Sequence, residues 1–484
     1  MSGLPAAALV GALVALLVGA LTRRQNVAAD EAWILVVAER LAHRHDVLYR
    51  DVFFGVAPLP MWLLLTATRR AGVEVAVLRA WNAVASGVLA GATWHLVAGT
   101  LGQPWWAALT AVMLVAPAGG PVADQMSWYE NISRAGVMFA LVAAADGSPQ
   151  ALVLAGAGVG VAGMAKYTVG AVTAPTVLAL AWCTATQRVW LLGGVGAALA
   201  VAVATLAPLA RHPGALRSMA FRLGPGKRSF VEHGRISLWH LVRAGSQPVR
   251  LPALAVPLAL VALVAVVAAA AAGVPSALLW GAITALLAFW SCTWPRADST
   301  HLRGGLPFAA VAALMATLAW RHGGGPDLLS PIRLALVPWA FALSAIGLRS
   351  SVARGAFRRP DRVVRGCRGA GCRFSPEEVR ALWVASELAG GAAMVLGDDA
   401  PLVYLVSGIH DPTPYDYPLA SVFGPHGQAD VAGRIRSGQI THVVEVDAMP
   451  TSMAPVEIDA AVRECTEVVW QEGPVRLRRV RAQR

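Results

Sequence analysis

Two short segments of this chain gather ionisable side chains where the surrounding sequence is apolar. Asp30 and Glu31 begin a stretch whose apolar residues recur at helical spacing, with charged residues on the opposite side. A carboxylate in such a place could cap the N-terminus of a helix or face a cavity, where carboxylates accept protons. The two roles are compatible, and the spacing predicts an amphipathic helix that lies along a membrane surface.

The second segment is WPRADSTHL, residues 294–302, and it places Arg296, Asp298 and His301 in one short connection between two apolar runs. A simple turn needs no ionisable residues, and charged groups at a membrane boundary are candidates for a functional site. A solvated loop with a helix cap at Asp298 or Ser299 would explain the same residues.

Three further polar features interrupt the apolar sequence. The connection before residue 135 contains Asp124 and Glu130, which fit either a hydrated loop or a site. Lys166 lies inside a long apolar stretch, where a lysine could extend to the membrane surface or bind a lipid phosphate. The loop 211–250 is rich in arginine, which fits a solvated basic surface or a collar for anionic lipids.

Composition identifies the environment of these residues. Of the 484 residues, 56% are hydrophobic and only 14% are charged, whereas soluble proteins carry about 25% charged residues. The chain has a net charge of +12, from 40 Lys and Arg against 28 Asp and Glu. A basic chain could bind nucleic acid, but repeated apolar runs of membrane-spanning length argue against that class. The sequence therefore predicts a polytopic membrane protein.

The apolar runs predict about eleven crossings within residues 1–349, because a spanning helix needs about 20 apolar residues. The run at 104–117 is too short and is predicted to be re-entrant. The positive-inside rule places Arg69, Arg70 and Arg79 in the cytoplasm, which leaves the loops 23–53, 118–134, 211–250 and 293–302 outside. The predicted crossings are 4–22, 54–69, 75–99, 135–146, 149–165, 167–185, 190–210, 251–274, 276–292, 303–320 and 332–348.

Residues 350–484 have a different composition. After a cluster of arginines come a helix-like stretch at 375–390 and strand-like stretches at 403–408 and 440–446. This order predicts a small external α/β domain, and about 130 residues are enough for an independent core. Cys367 and Cys372 lie in one short loop and could form a disulfide outside the cell or stay free. The predicted fold is thus mainly α, a transmembrane helical bundle followed by this domain.

The order of these features resembles the GT-C class of membrane glycosyltransferases, which use a sugar linked to polyprenyl phosphate on the non-cytoplasmic face. The chain departs from the class pattern at Asp411, where an Asn is usual, and its second acidic position could be Asp124 or Glu130. The matching segments are Asp30-Glu31, Tyr49-Arg50-Asp51, Ala57-Pro58-Leu59-Pro60, WPRADSTHLRGGLP (294–307) and GIHDPTPYDYPLAS (408–421).

This resemblance implies an enzyme that transfers a hexosyl or pentosyl group, with inversion, from a polyprenyl-phosphate donor. Asp30 would be the general base, supported by Glu31 or Glu130, and Mg²⁺ or Mn²⁺ could bind at Asp30 and Glu130. The donor phosphate would be held by Lys166, Arg296 and His301. The supporting residues implied are Tyr49, Asp51, Asp124, Glu130 and Asp298. Those expected to contact the acceptor or to form a lid are Tyr415, Asp416 and Tyr417.

The chain would then belong to a bacterial cytoplasmic membrane, with its active site facing outwards among membrane lipids. Its acceptor would be a glycan, glycolipid or protein of the cell envelope, and it would not bind nucleic acid. The alternative is a transporter or flippase for a lipid-linked or anionic substrate. That class places charges near the middle of its helices and often has two related halves. The depth of the charged residues therefore distinguishes the two functions.

Overall fold

The computed structural model describes residues 3–118, 127–223, 255–274, 276–293, 299–328, 370–446 and 454–481, with isolated positions between 330 and 367. Most of these residues are helical, and the strands lie in the C-terminal part. Residues 3–322 contain α1 Gly3–Thr22, α2 Ala29–His43, α3 Pro58–Ala71, α4 Val75–Trp94, α5 Pro104–Ala118, α6 Ser127–Asp146, α7 Pro149–Ala165, α8 Tyr167–Thr184, α9 Trp190–Ala210, α10 Ala215–Leu223, α11 Ala255–Ala271, α12 Ser276–Thr293 and α13 Ser299–His322.

Several of these helices can cross a membrane. Within the described residues, five segments are long and apolar enough by length and composition: Gly3–Thr22, Val75–Thr100, Tyr167–Thr184, Trp190–Ala210 and Gly304–His322. Shorter apolar helices occupy Pro149–Ala165, Val256–Ala271 and Ala277–Thr293. The chain is a multi-pass membrane protein, as its composition predicts.

Glycines let the helices that carry polar residues approach each other closely. A Cβ atom added to Gly87 of α4 would lie 2.6 Å from the carbonyl oxygen of Gly11 in α1. A Cβ added to Gly158 of α7 would lie 2.7 Å from the carbonyl oxygen of Gly136 in α6. Small residues allow such contacts between membrane helices, where packing rather than hydrophobic burial drives association. These contacts fix α1 against α4 and α6 against α7.

The apolar run at 54–69 does not form the predicted crossing. Helix α3 has only 14 residues, about 21 Å at 1.5 Å per residue, which is shorter than a bilayer core. The next helix begins beside the end of α1, because Arg79 of α4 donates to the carbonyl oxygens of Thr22 and Gln25 at 2.7 and 2.9 Å. The end of α1 and the start of α4, the helices before and after the α2–α3 region, therefore lie together.

The sequence places residues 23–53 and Arg79 on opposite sides of the membrane, whereas the structure brings Arg79 into contact with Thr22 and Gln25. Arg69 and Arg70 lie at the end of α3. Arg79 is buried and forms an ion pair with Glu31. The run at 104–117, predicted to be re-entrant, forms α5. Its Trp106 donates to the carbonyl oxygen of Ala310, near the middle of α13, at 3.0 Å. Helix α5 is thus embedded among the membrane helices.

The C-terminal part contains a four-stranded sheet with helices. Its elements are α14 Pro376–Leu388, β1 Met394–Leu396, α15 Ala400–Ser407, α16 Ala420–Arg436, β2 His442–Glu445, α17 Val456–Cys465, β3 Thr466–Glu472 and β4 Val475–Val480. The strand order is β1-β2-β4-β3, with β1 parallel to β2 and the other pairs antiparallel. Helix α14 and strand β2 lie where the sequence predicts them.

The strand predicted at 403–408 is instead helix α15. Pro401 lies in its first turn, and Gly408 ends it with a left-handed backbone at φ 75°. All but the last of its residues are buried, so its sequence shows no amphipathic period. A short, fully buried apolar run cannot be assigned to helix or strand from its pattern alone. Cys367 and Cys372 are both free thiols in the structure.

Candidate functional site

One buried carboxylate collects cationic side chains from three parts of the helical bundle. Glu130, in the first turn of α6, is 4% exposed. Its Oε1 atom accepts a hydrogen bond from Lys166 Nζ at 2.7 Å and lies 3.5 Å from His301 Nε2. Its Oε2 atom accepts from the Arg134 guanidinium, one turn further along α6. We call Glu130, Arg134, Lys166 and His301 the Glu130 cluster.

Local structure explains how these residues meet. Lys166 has an extended backbone (φ −145°, ψ 97°) between the end of α7 and the start of α8, so its side chain leaves the helical register. The packing of Gly136 against Gly158 holds α6 beside α7. His301 lies in the first turn of α13. Three helix ends therefore present their polar residues at one place.

The Glu130 cluster carries more positive than negative charge. Arg134 and Lys166 face the single carboxylate of Glu130, and protonation of His301 would add a third cation. The side chain of Lys166 is 15% exposed, compared with 3% for Arg134. Burying an excess of cations is unfavourable unless an anion neutralises it. The arrangement is therefore suited to binding an anion beside Lys166.

Glu31 is placed in a closed ion pair. Its two carboxylate oxygens accept from Arg79 Nε and Nη2 at 2.8 and 2.7 Å, a bidentate geometry that is strong when buried. Its Oε2 also accepts from the backbone N–H of Ala28 at the start of α2. Both oxygens are occupied, so this geometry gives Glu31 a role in holding α2 against α4.

Asp30, beside it, has a different environment. The residue is only partly buried. Burial raises the pKa of Tyr417 in the C-terminal domain, and the negative charge of Asp30 raises it further. The two neighbouring acids Asp30 and Glu31 therefore lie in different environments. Glu31 anchors the helix, while the charge of Asp30 acts on the segment predicted to contact the acceptor.

Polar side chains extend from the Glu31 pair towards the Glu130 cluster. One turn after Arg79 on α4, Asn82 accepts from the amide of Asn131 on α6 at 2.7 Å. The side-chain Oδ1 of Asn131 accepts from Arg134 at 2.8 Å. Hydrogen bonds of Arg79 thus join the end of α1 to α4, and those of Asn131 join α4 to α6.

The segment 408–421 lies against α2, as a lid over this part of the chain would. Asp416 is buried and pairs with Arg40 of α2 at 2.8 Å. The ring of Tyr415 packs on Phe53 and Phe423 at centroid distances of 5.8 and 4.8 Å. Of the three residues predicted to meet the acceptor, Tyr417 is the one whose pKa Asp30 helps to raise. Asp416 and Tyr415 hold the segment in place.

Tyr49 and Asp51 form a turn rather than a site. Tyr49 is fully buried with a left-handed backbone at φ 68°, and its hydroxyl donates to the carbonyl oxygen of Val56. Asp51 accepts from the backbone N–H of Val47 at 2.8 Å. Its ion pair with Arg50 lowers the pKa of Asp51. Both residues shape the connection between α2 and α3.

Three predicted residues, Asp124, Arg296 and Asp298, lie outside the described residues. In the part of the chain that is described, no three His, Cys, Asp or Glu side chains are grouped to hold a metal. Glu130 faces two cations, which would repel a divalent metal ion. The described side chains of the Glu130 cluster do not fit Mg²⁺ or Mn²⁺, and no step is assigned to a metal.

Sequence reasoning missed three arginines. Arg134 lies one residue before a predicted crossing, but its position four residues after Glu130 is a signal for a helical ion pair. Arg79 was assigned to the cytoplasm. Arg40 pairs with a residue 376 positions away, and nothing local in the sequence indicates that contact.

The whole fold is similar to those of known membrane proteins. ArnT from Cupriavidus metallidurans, solved bound to undecaprenyl phosphate, is 16% identical, with a TM-score of 0.56 and 97% of each chain covered. Its apo structure gives a TM-score of 0.57 at the same identity and coverage. The arabinofuranosyltransferase AftD from Mycobacteria is 15% identical, with a TM-score of 0.53 over 99% of this chain and 40% of that one.

No family model matches the sequence, and neither does any curated protein. The structural likeness extends over nearly the full length, but at such low identity it shows the fold alone. The fold expected from the GT-C resemblance is confirmed.

Proposed function

We propose that this protein is a membrane glycosyltransferase that transfers a sugar from a polyprenyl-phosphate donor to an acceptor of the cell envelope. The observation that carries the proposal is the Glu130 cluster, a buried excess of cations at the meeting point of α6, α7, α8 and α13. The fold shared with ArnT, which was solved with undecaprenyl phosphate, supports this assignment. The active site faces the outside of the cytoplasmic membrane in this proposal.

The donor phosphate binds beside Lys166. Its charge neutralises the excess of Arg134 and Lys166, and His301 supplies a further donor at the mouth of the cluster. Negative charge grows on the bridging phosphate oxygen as the bond to the sugar breaks, so preorganised cations stabilise that transition state. Glu130 keeps the cations in position while the phosphate is absent. Arg296, on the connection before α13, is proposed to add a donor to the same phosphate.

Asp30 is the general base. The acceptor hydroxyl oxygen attacks the anomeric carbon, a new C–O bond forms, and the bond from that carbon to the phosphate oxygen breaks. The polyprenyl phosphate leaves with the electron pair, and the hydroxyl proton passes to Asp30. Attack opposite to the leaving group inverts the configuration at the anomeric carbon. Glu31 contributes by holding the first turn of α2 through Arg79.

The transporter alternative gains no support from the depth of the charges. In the described helices α4, α6 and α13, charged residues lie within the first eight or the last two positions. The described candidate spans α1, α8 and α9 contain no Asp, Glu, Lys or Arg. A transport site near the bilayer midplane would need charges at mid-helix. The polar residues instead gather at helix ends.

The first experiment measures binding of undecaprenyl phosphate, because a polyprenyl phosphate is the product whichever sugar is transferred. Purified protein in detergent should be stabilised by undecaprenyl phosphate and not by undecaprenol, which lacks the phosphate. Lys166→Met keeps the length of the side chain and removes its charge. We expect it to weaken phosphate-dependent stabilisation by about tenfold to hundredfold in Kd, as for loss of a charged hydrogen bond of about 1.5–3 kcal/mol. Equal stabilisation by undecaprenol would contradict the proposed phosphate site.

The second experiment measures transfer from a panel of polyprenyl-phosphate-linked pentoses and hexoses in membrane vesicles. Asp30→Asn should reduce kcat by about 10² to 10⁴, the usual contribution of a general base, with undecaprenyl phosphate binding unchanged. Full turnover by this variant would show that another residue is the base. Glu39→Gln, which also removes an acid from α2, serves as the matched control and should turn over normally.

A further inference from the structure

Helix α10 follows the candidate membrane span α9 after a turn of four residues, 211–214. Side chains of α9 that recur every fourth position, Val195, Leu199 and Val203, are 46–67% exposed. They form one apolar face of the helix, as expected where a membrane span contacts acyl chains. The chain leaves the apolar part of the bilayer at the end of α9, so α10 lies at the boundary of the membrane.

One face of α10 packs on the protein. Ala215 is fully buried in the apolar cluster that contains Val52, and Met219 packs against this cluster. Arg222 donates to the carbonyl oxygen of Val52 at 2.8 Å, and its guanidinium lies 5.3 Å from the ring centroid of Phe53. Residues at positions i, i+4 and i+7 share one face of a helix. This inner face of α10 therefore holds the helix against the connection between α2 and α3.

The outer face of α10 is exposed and mostly apolar. Phe221 is 57% exposed and Leu216 36% exposed, and Arg217 and Ala220 are exposed beside them. Exposed apolar side chains in a group indicate a surface that binds a partner or a membrane. Leu, Phe and Arg are also the residues typical of helices that lie in the headgroup region of a bilayer. Because α10 directly follows a span, the partner of its outer face is lipid.

The charges of this region select an anionic lipid. Arg211, in the turn, and Arg217 are both exposed, and the sequence contains no Asp or Glu in residues 147–231. The acid of the neighbouring α2–α3 connection, Asp51, is paired with Arg50 at 2.8 Å. Basic residues near a membrane surface attract anionic lipids, and the guanidinium fork matches the geometry of a phosphate.

We propose that the outer face of α10 is a binding site for an anionic phospholipid. Leu216 and Phe221 lie among its acyl chains, and Arg217 pairs with its headgroup phosphate. The bound lipid holds α10 in the membrane surface, while Arg222 ties the same helix to the α2–α3 connection. Arg217 is not part of the Glu130 cluster, and the lipid site does not depend on which reaction the enzyme catalyses.

The test measures lipid binding to the purified, delipidated protein in detergent, with bound molecules counted by native mass spectrometry. Phosphatidylglycerol has a net negative charge, whereas phosphatidylcholine with the same acyl chains has the same phosphate and a compensating cation. Glycerol 3-phosphate provides the phosphate ester without acyl chains. The variant Arg217→Gln is compared with Arg436→Gln, which changes an exposed arginine that faces Glu464 in the C-terminal domain.

Arg217→Gln should weaken phosphatidylglycerol binding by about fivefold in Kd, the usual effect of one arginine at an anionic membrane surface. Phosphatidylcholine binding should change little, and Arg436→Gln should bind both lipids normally. Phe221→Ser should weaken both lipids alike, because it removes an apolar contact that both make. Arg217 and Phe221 are exposed, so both variants should keep the melting temperature of the lipid-free protein.

Undecaprenyl phosphate separates this site from the proposed donor site. Arg217→Gln should bind it normally, and Lys166→Met should bind phosphatidylglycerol normally, so either proposal can fail without the other. If Arg217→Gln loses affinity for both lipids in equal proportion, Arg217 belongs to the donor site and the phospholipid site is refuted. Normal phosphatidylglycerol binding by Arg217→Gln or by Phe221→Ser would also refute it. Glycerol 3-phosphate that binds as tightly as phosphatidylglycerol would show a site for soluble phosphate esters instead.

Discussion

The Glu31–Arg79 pair and the Glu130 cluster are two buried groups of charged side chains. They differ in whether positive and negative charges are equal in number. In the Glu31 pair, one guanidinium and one carboxylate bond each other twice, and the remaining donors of Arg79 go to backbone carbonyls. In the Glu130 cluster, one carboxylate is shared by two permanent cations and lies beside His301. Among the described residues, the first pair balances its charge, whereas the second cluster has more positive than negative charge.

This difference separates a structural role from a binding role. A closed pair contributes to the fold and offers nothing to a ligand, because each polar atom already has a partner. An anion that binds to a cluster with surplus positive charge neutralises it. The protein is therefore more stable with the anion bound than without it. The balance of charge within a cluster therefore indicates whether it has a structural or a binding role, which the number of acidic residues in the sequence does not.

The largest expected effect comes from opening the closed pair. Arg79→Met leaves Glu31 buried without its partner and removes the donor to four backbone carbonyl oxygens near the end of α1. We expect a loss of about 3–5 kcal/mol in the free energy of unfolding, as for other broken buried pairs. Thermal unfolding in detergent measures this. The double variant Glu31→Gln with Arg79→Met should be less destabilised than Arg79→Met alone, and equal instability would contradict the closed pair.

A smaller loss is expected when the same kind of change is made in the Glu130 cluster. Glu130→Gln should destabilise the ligand-free protein by about 1–3 kcal/mol, because Lys166 can still reach water. Undecaprenyl phosphate should restore more stability to this variant than it adds to the unmodified protein, since the phosphate replaces the missing negative charge. Melting temperatures with and without the lipid measure the difference. If undecaprenyl phosphate raises the melting temperatures of Glu130→Gln and of the unmodified protein equally, the phosphate does not replace the charge of Glu130. The Glu130 cluster would then not differ from the Glu31 pair in this respect.

The sequence predicts the class of fold and several residues of the site, for identifiable reasons. Apolar runs of sufficient length indicate membrane helices whatever their partners are. Lys166 and Glu130 could be recognised because a polar residue beside long apolar runs needs an explanation. The topology around α3 could not be predicted, because hydropathy counts apolar residues and does not register the contact between Arg79 and Glu31 that places α4.

The different environments of Asp30 and Glu31 could not be predicted from the sequence either. Both acids fit the first turn of a helix, and only the tertiary contacts distinguish them. The partner of Glu31 is 48 residues away, and the Tyr417 whose pKa Asp30 helps to raise comes from a different part of the fold. Contacts of this range depend on how helices pack, and no local pattern records them.

The smallest expected effect concerns a third buried group, at the junction of the membrane module and the C-terminal domain. Burial and the negative charge of Asp416 raise the pKa of the Asp411 carboxyl. In the unfolded chain, the pKa of an aspartate is about 3.9. Between these two values the folded protein binds the proton more readily than the unfolded chain does. The stability that the protonated carboxyl contributes is therefore present at low pH and is lost as the pH rises towards the raised pKa.

Asp411→Asn should remove this pH dependence, because the amide stays neutral. Its free energy of unfolding should rise relative to that of the unmodified protein as the pH is raised from 4 to neutrality, by up to about 1.4 kcal/mol per pH unit, and its melting temperature should rise with it. Asp430→Asn, which changes an exposed aspartate paired with Arg434, is the control and should follow the unmodified protein. A constant difference between Asp411→Asn and the unmodified protein across this range would show that Asp411 is ionised in both states.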